Sequence, residues 1–332
     1  MGLLIDGIWQ TRESVQATRE GHFLRPESAF RNWVTSNGRP GPTGHDGFSA
    51  ARGRYHLYAS LACPWAHRAL IVRALKGLED IVSVSIVHWR MGDQGWGFAP
   101  GPGVIGDPIF GDRHLHEVYS HADPAFTGRV TVPALWCRHT QTIVNNDATD
   151  IPRMFNRAFG ELGASEMDFY PVDKRPEIDA WNARIQPDVN EGVYRAGFAQ
   201  TEAARVTALD ALFATLDDLE THLAQSRFLC GDALTEADIR LFPTLLRFDV
   251  VYHDLFRCNR RQLADYPNLW AYTRDIYQWP GVAATVDMTH IRRHYYESLT
   301  TLNPSGTVPE HGLPDFAMTV DRGRDISRLL TF

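Results

Sequence analysis

The chain has 332 residues, of which 44% are hydrophobic and 22% charged, a composition typical of a globular protein with two domains. Its net charge of −7 and the lack of a long basic run argue against nucleic-acid binding and membrane-surface binding. No apolar run approaches the roughly 20 residues that span a bilayer, and the first residues do not resemble a secretory signal. Four scattered cysteines do not form a disulfide framework, so we expect a cytoplasmic protein.

The first half of the chain has the pattern of a small α/β domain. Residues 1–53 are rich in Gly, Pro, Ser and Asn, which predicts an extended N-terminal arm with little regular structure. A domain is predicted over 54–160, interrupted by an irregular Gly- and Pro-rich insert at 88–128. Its predicted elements are a strand at 54–60, a helix at 64–76, strands at 81–87, 134–136 and 142–144, and a helix at about 146–157.

From about residue 175 the apolar spacing becomes helical and stays so. One stripe of leucines at three-to-four spacing extends from Leu209 to Leu223, and Thr235 with Asp238 resembles a capping box that opens another helix. Further helices are predicted at 267–278 and 283–299. The pattern predicts an all-helical domain over 175–300, followed by a surface tail at 301–332.

The most informative residues are Cys63-Pro64-Trp65-Ala66, between a predicted strand and a predicted helix. Pro64 suits the first helical position, which places Cys63 at the N-cap. There the backbone N–H groups and the helix dipole lower the pKa of a thiol, so the segment predicts a nucleophilic thiolate. Ala66 stands where a second cysteine would resolve a mixed disulfide, so we expect monothiol chemistry that an external thiol completes.

Two further segments have features of a peptide-binding site. Pro133, after Val132 at the mouth of a strand, is either a cis-proline that presents the Val132 backbone to a peptide or an ordinary edge-strand proline. Residues 143–148 lead from a strand into a helix, where Asp147 either pairs with a ligand ammonium or caps the helix. These segments alone leave both alternatives open.

The histidines predict no metal site. His114, His116 and His121 lie in the insert with no cysteine partner and no HExxH arrangement, which favours solvent-exposed loop residues. His290 and His294 enclose two arginines on a predicted helix, which predicts a charged, solvated face. The Gly-rich stretch 92–106 also lacks the last glycine of a dinucleotide-binding loop.

Together these features resemble the glutathione transferase superfamily and, within it, the glutathionyl-hydroquinone reductases of the xi class. The resemblance extends from MGLLIDGIW to LNPSGTVP and is carried by RYHLYASLACPWAHR, GRVTVPALW, TIVNND, GVYRAGFA, FDVVYHDLFRCN and YPNLWAYTRDIYQWPGV. It implies the glutathione transferase fold, an α/β thioredoxin-like N-terminal domain plus an all-α C-terminal domain. It also implies a homodimer.

The resemblance implies glutathione-dependent reduction of an S-glutathionyl-hydroquinone, or a related aromatic thioether. The Cys63 thiolate would attack the glutathione sulfur, expel the hydroquinone carbon and form a Cys63–glutathione mixed disulfide. A second glutathione would then release glutathione disulfide. Glutathione is therefore expected as a co-substrate, with no permanently bound cofactor and no metal.

The resemblance also assigns roles to individual residues. Tyr194 would protonate the leaving carbon, and Tyr252 and Tyr295 would hydrogen-bond near the sulfur, although a helical tyrosine is usually a packing residue. The implied glutathione-binding residues are Trp96, Arg129, Val130, Thr131, Val132, Asp147 and Ala148.

The chain departs from the family pattern at Asp147-Ala148, where Glu-Ser is usual. Ala148 lacks a hydroxyl for the γ-glutamyl carboxylate, and one such hydrogen bond contributes roughly 1.5–3 kcal/mol. We therefore expect weaker glutathione binding, or compensation from a neighbour. Two alternatives stay open: another monothiol reaction, such as dehydroascorbate reduction or disulfide deglutathionylation, and a non-catalytic binding module with the same fold. Tyr194→Phe tests the first, and alkylation of Cys63 against pH tests the second.

Overall fold

The computed structural model describes residues 2–11, 17–24, 26–310 and 312–322. The chain forms two compact units, each built from several stretches of sequence. The first unit takes the described residues of Met1–Ser14, Pro26–Met167 and Thr285–Val308, and the second those of Val15–Arg25, Asp168–Ala284 and Pro309–Phe332. The predicted domain boundaries stay predictions, and residues 323–332 of the predicted tail lie outside the described part.

The N-terminal segment carries short strands of the first unit. They are β1 (Leu3–Ile5), β2 (Ile8–Gln10), β3 (Trp33–Thr35) and β4 (Gly47–Ser49). β1 and β2 pair antiparallel around Asp6 and Gly7, while β3 pairs in parallel with β4. Both turn residues have positive φ, the geometry that Asp-Gly favours in a two-residue hairpin.

A four-stranded mixed sheet forms the centre of the first unit. Its elements, in chain order, are β5 (Tyr55–Ala59), α1 (Pro64–Leu75), β6 (Val82–Ile86), α2 (Leu115–Ala122), β7 (Ala134–Cys137), β8 (Thr142–Asn145) and α3 (Asp150–Arg157). The strand order is β6-β5-β7-β8; β5 pairs in parallel with β6 and antiparallel with β7, which pairs antiparallel with β8. Every residue of β5 and β7 is buried, as the centre of a sheet covered on both faces requires.

Two helices of this unit differ from the predictions. The insert 88–128 was expected to be irregular, but it contains α2, which Glu117 opens by accepting a hydrogen bond from the His114 N–H (2.7 Å). His116 and His121 therefore lie on a helix and not in a loop. α3 begins at Asp150, four residues later than predicted. The Asn145 side chain accepts a hydrogen bond from the Asp147 N–H, and the Asp147 side chain accepts one from the Thr149 N–H. Such bonds to a backbone N–H two residues later favour turns over helix.

The described regular elements of the second unit are helices, as predicted. They are α4 (Arg175–Ile185), α5 (Gly192–Gly197), α6 (Glu202–Leu223), α7 (Glu236–Arg247) and α8 (Pro267–Tyr277), with π-helical turns at Gln186–Asn190 and Phe248–Tyr252. The predicted leucine stripe of α6 is buried, and the capping box of Thr235 and Asp238 opens α7. No described helix of the chain is long and apolar enough to cross a membrane.

The last helix, α9 (Met288–Ser298), groups with the first unit. The prediction that His290 and His294 lie on a solvated face was wrong, since their exposed fractions are 1% and 8%. Residues four apart share a helix face, so the two histidines point inward together while Arg292 and Arg293 remain half-buried. The His294 Nδ1 lies 2.7 Å from the Trp89 carbonyl oxygen.

Candidate active site

Cys63 lies between β5 and α1, at the position that its sequence predicts. It is the N-cap residue of α1, with extended backbone angles (φ −78°, ψ 121°), and Pro64 is the first helical residue. Its exposed fraction is 9%, so the sulfur is largely shielded from water. The first backbone N–H groups of a helix lack helical partners, and their positive potential favours an anion at this place.

The Val132 backbone lies beside this sulfur. The peptide bond between Val132 and Pro133 is cis, as the first of the two alternatives requires, while the presentation of the Val132 backbone to a peptide stays a prediction. The Cys63 Sγ is 3.7 Å from the Val132 carbonyl oxygen. Two segments that are 69 residues apart in sequence therefore meet at one place.

Tyr119 of α2 holds the segment that leads to Val132. Its hydroxyl donates to the Thr131 carbonyl oxygen (2.8 Å) and accepts from the Thr131 N–H (3.3 Å). The Asn146 Nδ2 also donates to this hydroxyl, at 3.1 Å. Burial raises the pKa of Tyr119, so the phenol stays neutral and can donate. No local signal in the sequence indicated this residue, which joins two of the predicted binding segments.

Asp147 caps the start of α3. Its Oδ1 accepts from the N–H groups of Thr149 (2.8 Å) and Asp150 (3.1 Å). Its Oδ2 accepts from the Ser28 hydroxyl (3.1 Å) and lies 3.9 Å from the Arg31 guanidinium. Burial opposes ionisation of Asp147, but the backbone donors and Arg31 outweigh it and lower its pKa. Asp147 therefore bonds the backbone at the start of α3, while its pairing with a ligand ammonium stays a prediction. Ser28 and Arg31 are neighbours that the sequence did not indicate.

Trp96 is buried and its ring stacks on His294 of α9, with ring centroids 4.7 Å apart and 21° between the planes. The Trp96 carbonyl oxygen accepts from the Leu115 N–H (2.9 Å) at the start of α2. Tyr295 lies next to His294 and is buried too. The first unit thus brings together Trp96 and Tyr295, two predicted site residues, through a histidine that was expected to face solvent.

The second unit brings together the other two predicted tyrosines. The Tyr194 and Tyr252 hydroxyl oxygens are 3.5 Å apart, and Tyr252 is completely buried. Phe256 packs edge-on against Tyr194, with ring centroids 5.3 Å apart. Gly197 is required here, because a Cβ atom at this position would lie 2.5 Å from the Phe256 ring. The two phenols therefore form a polar pair inside an aromatic cluster.

The four cysteines, all of which lie in the described part of the chain, form no disulfide bond with one another. Burial raises the pKa of the Cys230 thiol and of the Cys258 thiol to about 12, which keeps both in the unreactive protonated form. Among the residues that the structure describes, no three His, Cys, Asp or Glu side chains are grouped as metal ligands. Cys63 differs from Cys230 and Cys258 because it lies at the N-terminus of a helix.

Comparison with known families agrees with this geometry. The model "Glutathione S-transferase, N-terminal domain" matches residues 62–158, and "Glutathione S-transferase, C-terminal domain" matches residues 176–275. The glutathionyl-hydroquinone reductase YqjG of Escherichia coli is 50% identical over 309 residues, which is 93% of this chain and 94% of YqjG. The glutathionyl-hydroquinone reductase PcpF of Sphingobium chlorophenolicum is 49% identical, over 93% of this chain and 96% of its own.

Solved structures show the same similarity in three dimensions. The glutathione-bound structure of YqjG from Escherichia coli K-12 has a TM-score of 0.90 at 47% identity and covers 98% of this chain and 100% of its own. A Xi class glutathione transferase from Natrialba magadii has a TM-score of 0.87 at 41% identity, covering 99% and 97%. Sequence and fold therefore match the same group of proteins over nearly the whole chain.

Proposed function

The chain belongs to the glutathionyl-hydroquinone reductases, the Xi class of the glutathione S-transferase family, and we propose that it reduces S-glutathionyl-hydroquinones to hydroquinones at Cys63. The observation that carries this proposal is the position of Cys63 at the N-cap of α1, with Ala66 three residues later. The helix start favours a thiolate, and the missing second cysteine leaves its mixed disulfide for an external thiol.

The first step transfers the glutathionyl sulfur. The Cys63 thiolate attacks this sulfur, a sulfur–sulfur bond forms, and the bond from the sulfur to the ring carbon breaks. The carbon leaves with the electron pair and takes a proton, for which we propose the Tyr194 hydroxyl as donor. Tyr252, 3.5 Å from Tyr194, can then share the charge on the phenolate by a hydrogen bond. The products are a hydroquinone and a Cys63–glutathione mixed disulfide.

The second step restores the enzyme. A glutathione thiolate attacks the glutathionyl sulfur of the mixed disulfide, and the Cys63 thiolate leaves as glutathione disulfide forms. The proton of the second glutathione replaces the one that Tyr194 gave up, so protons balance over the cycle. Two electrons pass to the ring carbon from the two glutathionyl sulfurs, one of which enters as the thioether of the substrate and the other as the thiol of the second glutathione. Glutathione acts as a substrate in this scheme, and we propose that no cofactor is permanently bound.

We propose that segments of the first unit bind glutathione. We propose that the backbone of Val130, Thr131 and Val132 pairs with the tripeptide, in the manner of strand addition. Trp96 and Arg129 would flank it, and Asp147 with Ala148 would receive the γ-glutamyl end. Support comes from the Val132 carbonyl oxygen, which lies 3.7 Å from the Cys63 Sγ, and from the low pKa that keeps Asp147 ionised for an ammonium group. Tyr295, next to the residue that stacks on Trp96, is proposed to hydrogen-bond near the sulfur.

The assembly state is also a proposal. We expect a homodimer from the family resemblance, and sedimentation equilibrium of the purified chain measures its mass directly. A monomer at micromolar concentration would contradict this expectation without affecting the chemistry at Cys63.

The reaction is tested by turnover of a glutathionyl-hydroquinone with excess glutathione. Wild type should release hydroquinone and glutathione disulfide in equal amounts, and Cys63→Ala should lose both while still binding glutathione. Cys137→Ala, which removes another buried cysteine of the same unit, serves as the matched control. If the thiol reacts and glutathione binds but no hydroquinone appears, the chain is a disulfide-exchange enzyme. If glutathione does not bind, it is a binding module with the family fold.

A further inference from the structure

The N-terminal hairpin, formed by β1 and β2, contacts the chain just before Arg129. Leu4 and Gly128 form a pair of backbone hydrogen bonds, each 2.9 Å long. The Gly7 N–H donates to the Phe126 carbonyl oxygen at 3.0 Å, and the Asp6 N–H donates to the Thr127 hydroxyl at 2.8 Å. One edge of the hairpin is therefore hydrogen-bonded along the three residues that precede Arg129.

The other strand of the hairpin contacts the loop just before Trp96. The Trp9 Nε1 donates to the Asp93 carbonyl oxygen at 2.9 Å, and the Trp9 ring stacks on His116 with centroids 4.7 Å apart. The ring also lies against Gly95, where a Cβ atom would come within 2.8 Å of it. Gly95 has a φ of +72°, so this loop takes its shape through a residue that Trp9 contacts directly.

The hairpin therefore contacts both the loop before Trp96 and the segment before Arg129, which are more than thirty residues apart in sequence. Between Trp96 and Arg129 the chain includes a stretch with Gly97, Gly101, Gly103, Gly106 and Gly111. Glycines give such a stretch many alternative backbone conformations. The start of α2 already holds the Trp96 carbonyl oxygen through the Leu115 N–H, so the hairpin is a second tie. A second tie reduces the ordering of the two ends that ligand binding requires, and such ordering weakens affinity.

We propose that the hairpin is a clamp for the glutathione site and that Trp9 is a positioning residue, which holds the Trp96 loop at a fixed distance from Arg129 before the ligand arrives. This inference rests on the proposed glutathione-binding roles of Trp96 and Arg129. It gives the N-terminal arm a part in substrate affinity. Trp9 itself acts through Gly95 and Asp93 and takes no part in the sulfur chemistry.

Isothermal titration of the full chain with reduced glutathione tests the clamp. Trp9→Ala should raise Kd about tenfold, since a misplacement of about 1 Å can cost up to ~100-fold in a site. In turnover, KM for glutathione should rise while kcat at saturation stays within about twofold, the split expected for lost ground-state binding. Trp9→Phe keeps a stacking ring and should recover most of the affinity. Ile8→Ala is the matched control, because Ile8 lies beside Trp9 with 65% of its surface exposed.

Trp96→Ala separates the clamp from the proposed function. If Trp96→Ala weakens glutathione binding and folded Trp9→Ala does not, the clamp is wrong and the glutathione site stands. If neither variant changes the wild-type Kd, or if wild type does not bind, both proposals fail. Should Trp9→Ala not fold, Trp9→Phe and Trp9→Leu are compared by amide exchange in residues 92–97 and 126–132. Faster exchange in both segments for Trp9→Leu supports the clamp, and unchanged exchange overturns it.

Discussion

The two units of the chain carry different kinds of chemistry. The first holds Cys63, the proposed nucleophile, at a helix N-terminus, with the carbonyl oxygen of Val132 3.7 Å from its sulfur. The second holds a pair of neutral phenols, Tyr194 and Tyr252, inside an aromatic cluster. In the first unit the backbone N–H groups of the helix start favour an anion, whereas the second unit holds the phenols that we propose as proton donors, and each of these depends on a single hydroxyl group.

This difference predicts which substitutions each unit tolerates. Backbone groups survive most side-chain changes, so the first unit is sensitive at Cys63 and at the side chains that hold its segments in place. A phenol hydroxyl is lost completely in a Tyr→Phe change that hardly alters packing. Variants of the two units should therefore differ in which half of the reaction they affect.

The largest expected effect is that of Tyr194→Phe. Proton transfer by a positioned side chain contributes about 100-fold or more, so release of hydroquinone should fall by at least about 100-fold. Disulfide exchange at Cys63 needs no proton on carbon and should remain near wild type. Both rates are measured on one preparation, with Tyr170→Phe as control because its hydroxyl bonds Asp179 outside the aromatic cluster. Equal losses in the two rates would contradict a proton-donor role.

Acid should destabilise the first unit through His56. This residue is fully buried in β5, between the hydroxyls of Ser83 (2.7 Å) and Ser85 (2.8 Å), and burial lowers its pKa to about 4. Between about pH 6.5 and 4 the unfolded chain binds a proton that the folded chain does not, so stability falls as the pH falls. We expect a loss of about 2 kcal/mol between pH 7 and pH 5 from this group.

Urea unfolding at the two pH values checks this. His56→Gln should remove most of the difference, while His139→Gln, at an exposed position of the turn between β7 and β8, should not. A wild-type pH dependence that His56→Gln leaves intact would place the acid sensitivity elsewhere.

A hydroxyl at position 148 should strengthen glutathione binding. Ala148 follows the capping carboxylate of Asp147, and a serine there offers a donor to the γ-glutamyl carboxylate. A hydrogen bond to a charged group contributes roughly 1.5–3 kcal/mol, so Ala148→Ser should lower Kd about tenfold. Ala148→Gly adds no hydroxyl and is the control. An unchanged Kd would indicate that neighbours such as Ser28, 3.1 Å from Asp147, already compensate.

The smallest expected effect on binding is that of Tyr119→Phe. The variant removes the hydroxyl that bonds both the N–H and the carbonyl of Thr131, so the binding segment loses its anchor. We expect Kd for glutathione to rise about threefold, close to the net contribution of one hydrogen bond. Tyr58→Phe removes a comparable buried bond, to Asp107, and should lower stability without changing Kd. Similar Kd changes in both variants would mean that the effect is a general loss of stability.

Much of the fold and the position of Cys63 could be predicted from local signals. Alternating Val and Ser predicted β6, a proline at the first helical position predicted the N-cap at Cys63, and helical spacing predicted helices of the second unit such as α6. Each of these signals lies within a few residues of the feature it predicts. The hairpin had such a signal too, the Asp6-Gly7 pair between apolar residues, which the high Gly and Pro content of the arm obscured.

The rest of the site depends on contacts between distant residues. His294 lies 205 residues from the Trp89 carbonyl that it contacts, and Arg31 lies 119 residues from the Asp150 carboxylate that it bonds. The packing of Tyr119 against Thr131 needs α2, whose single buried face is hidden among glycines and prolines. No local spacing encodes these pairs, so they become visible only when the chain is folded.

The central claim, that sulfur is transferred to Cys63, is tested most directly by a single turnover without free glutathione. Enzyme mixed with an equal amount of a glutathionyl-hydroquinone should release one hydroquinone per chain. Mass spectrometry should then find one glutathionyl group attached to the peptide that contains Cys63, removable by added glutathione. Release of hydroquinone with no glutathionyl group on Cys63, or no release until a second glutathione is added, would contradict the account.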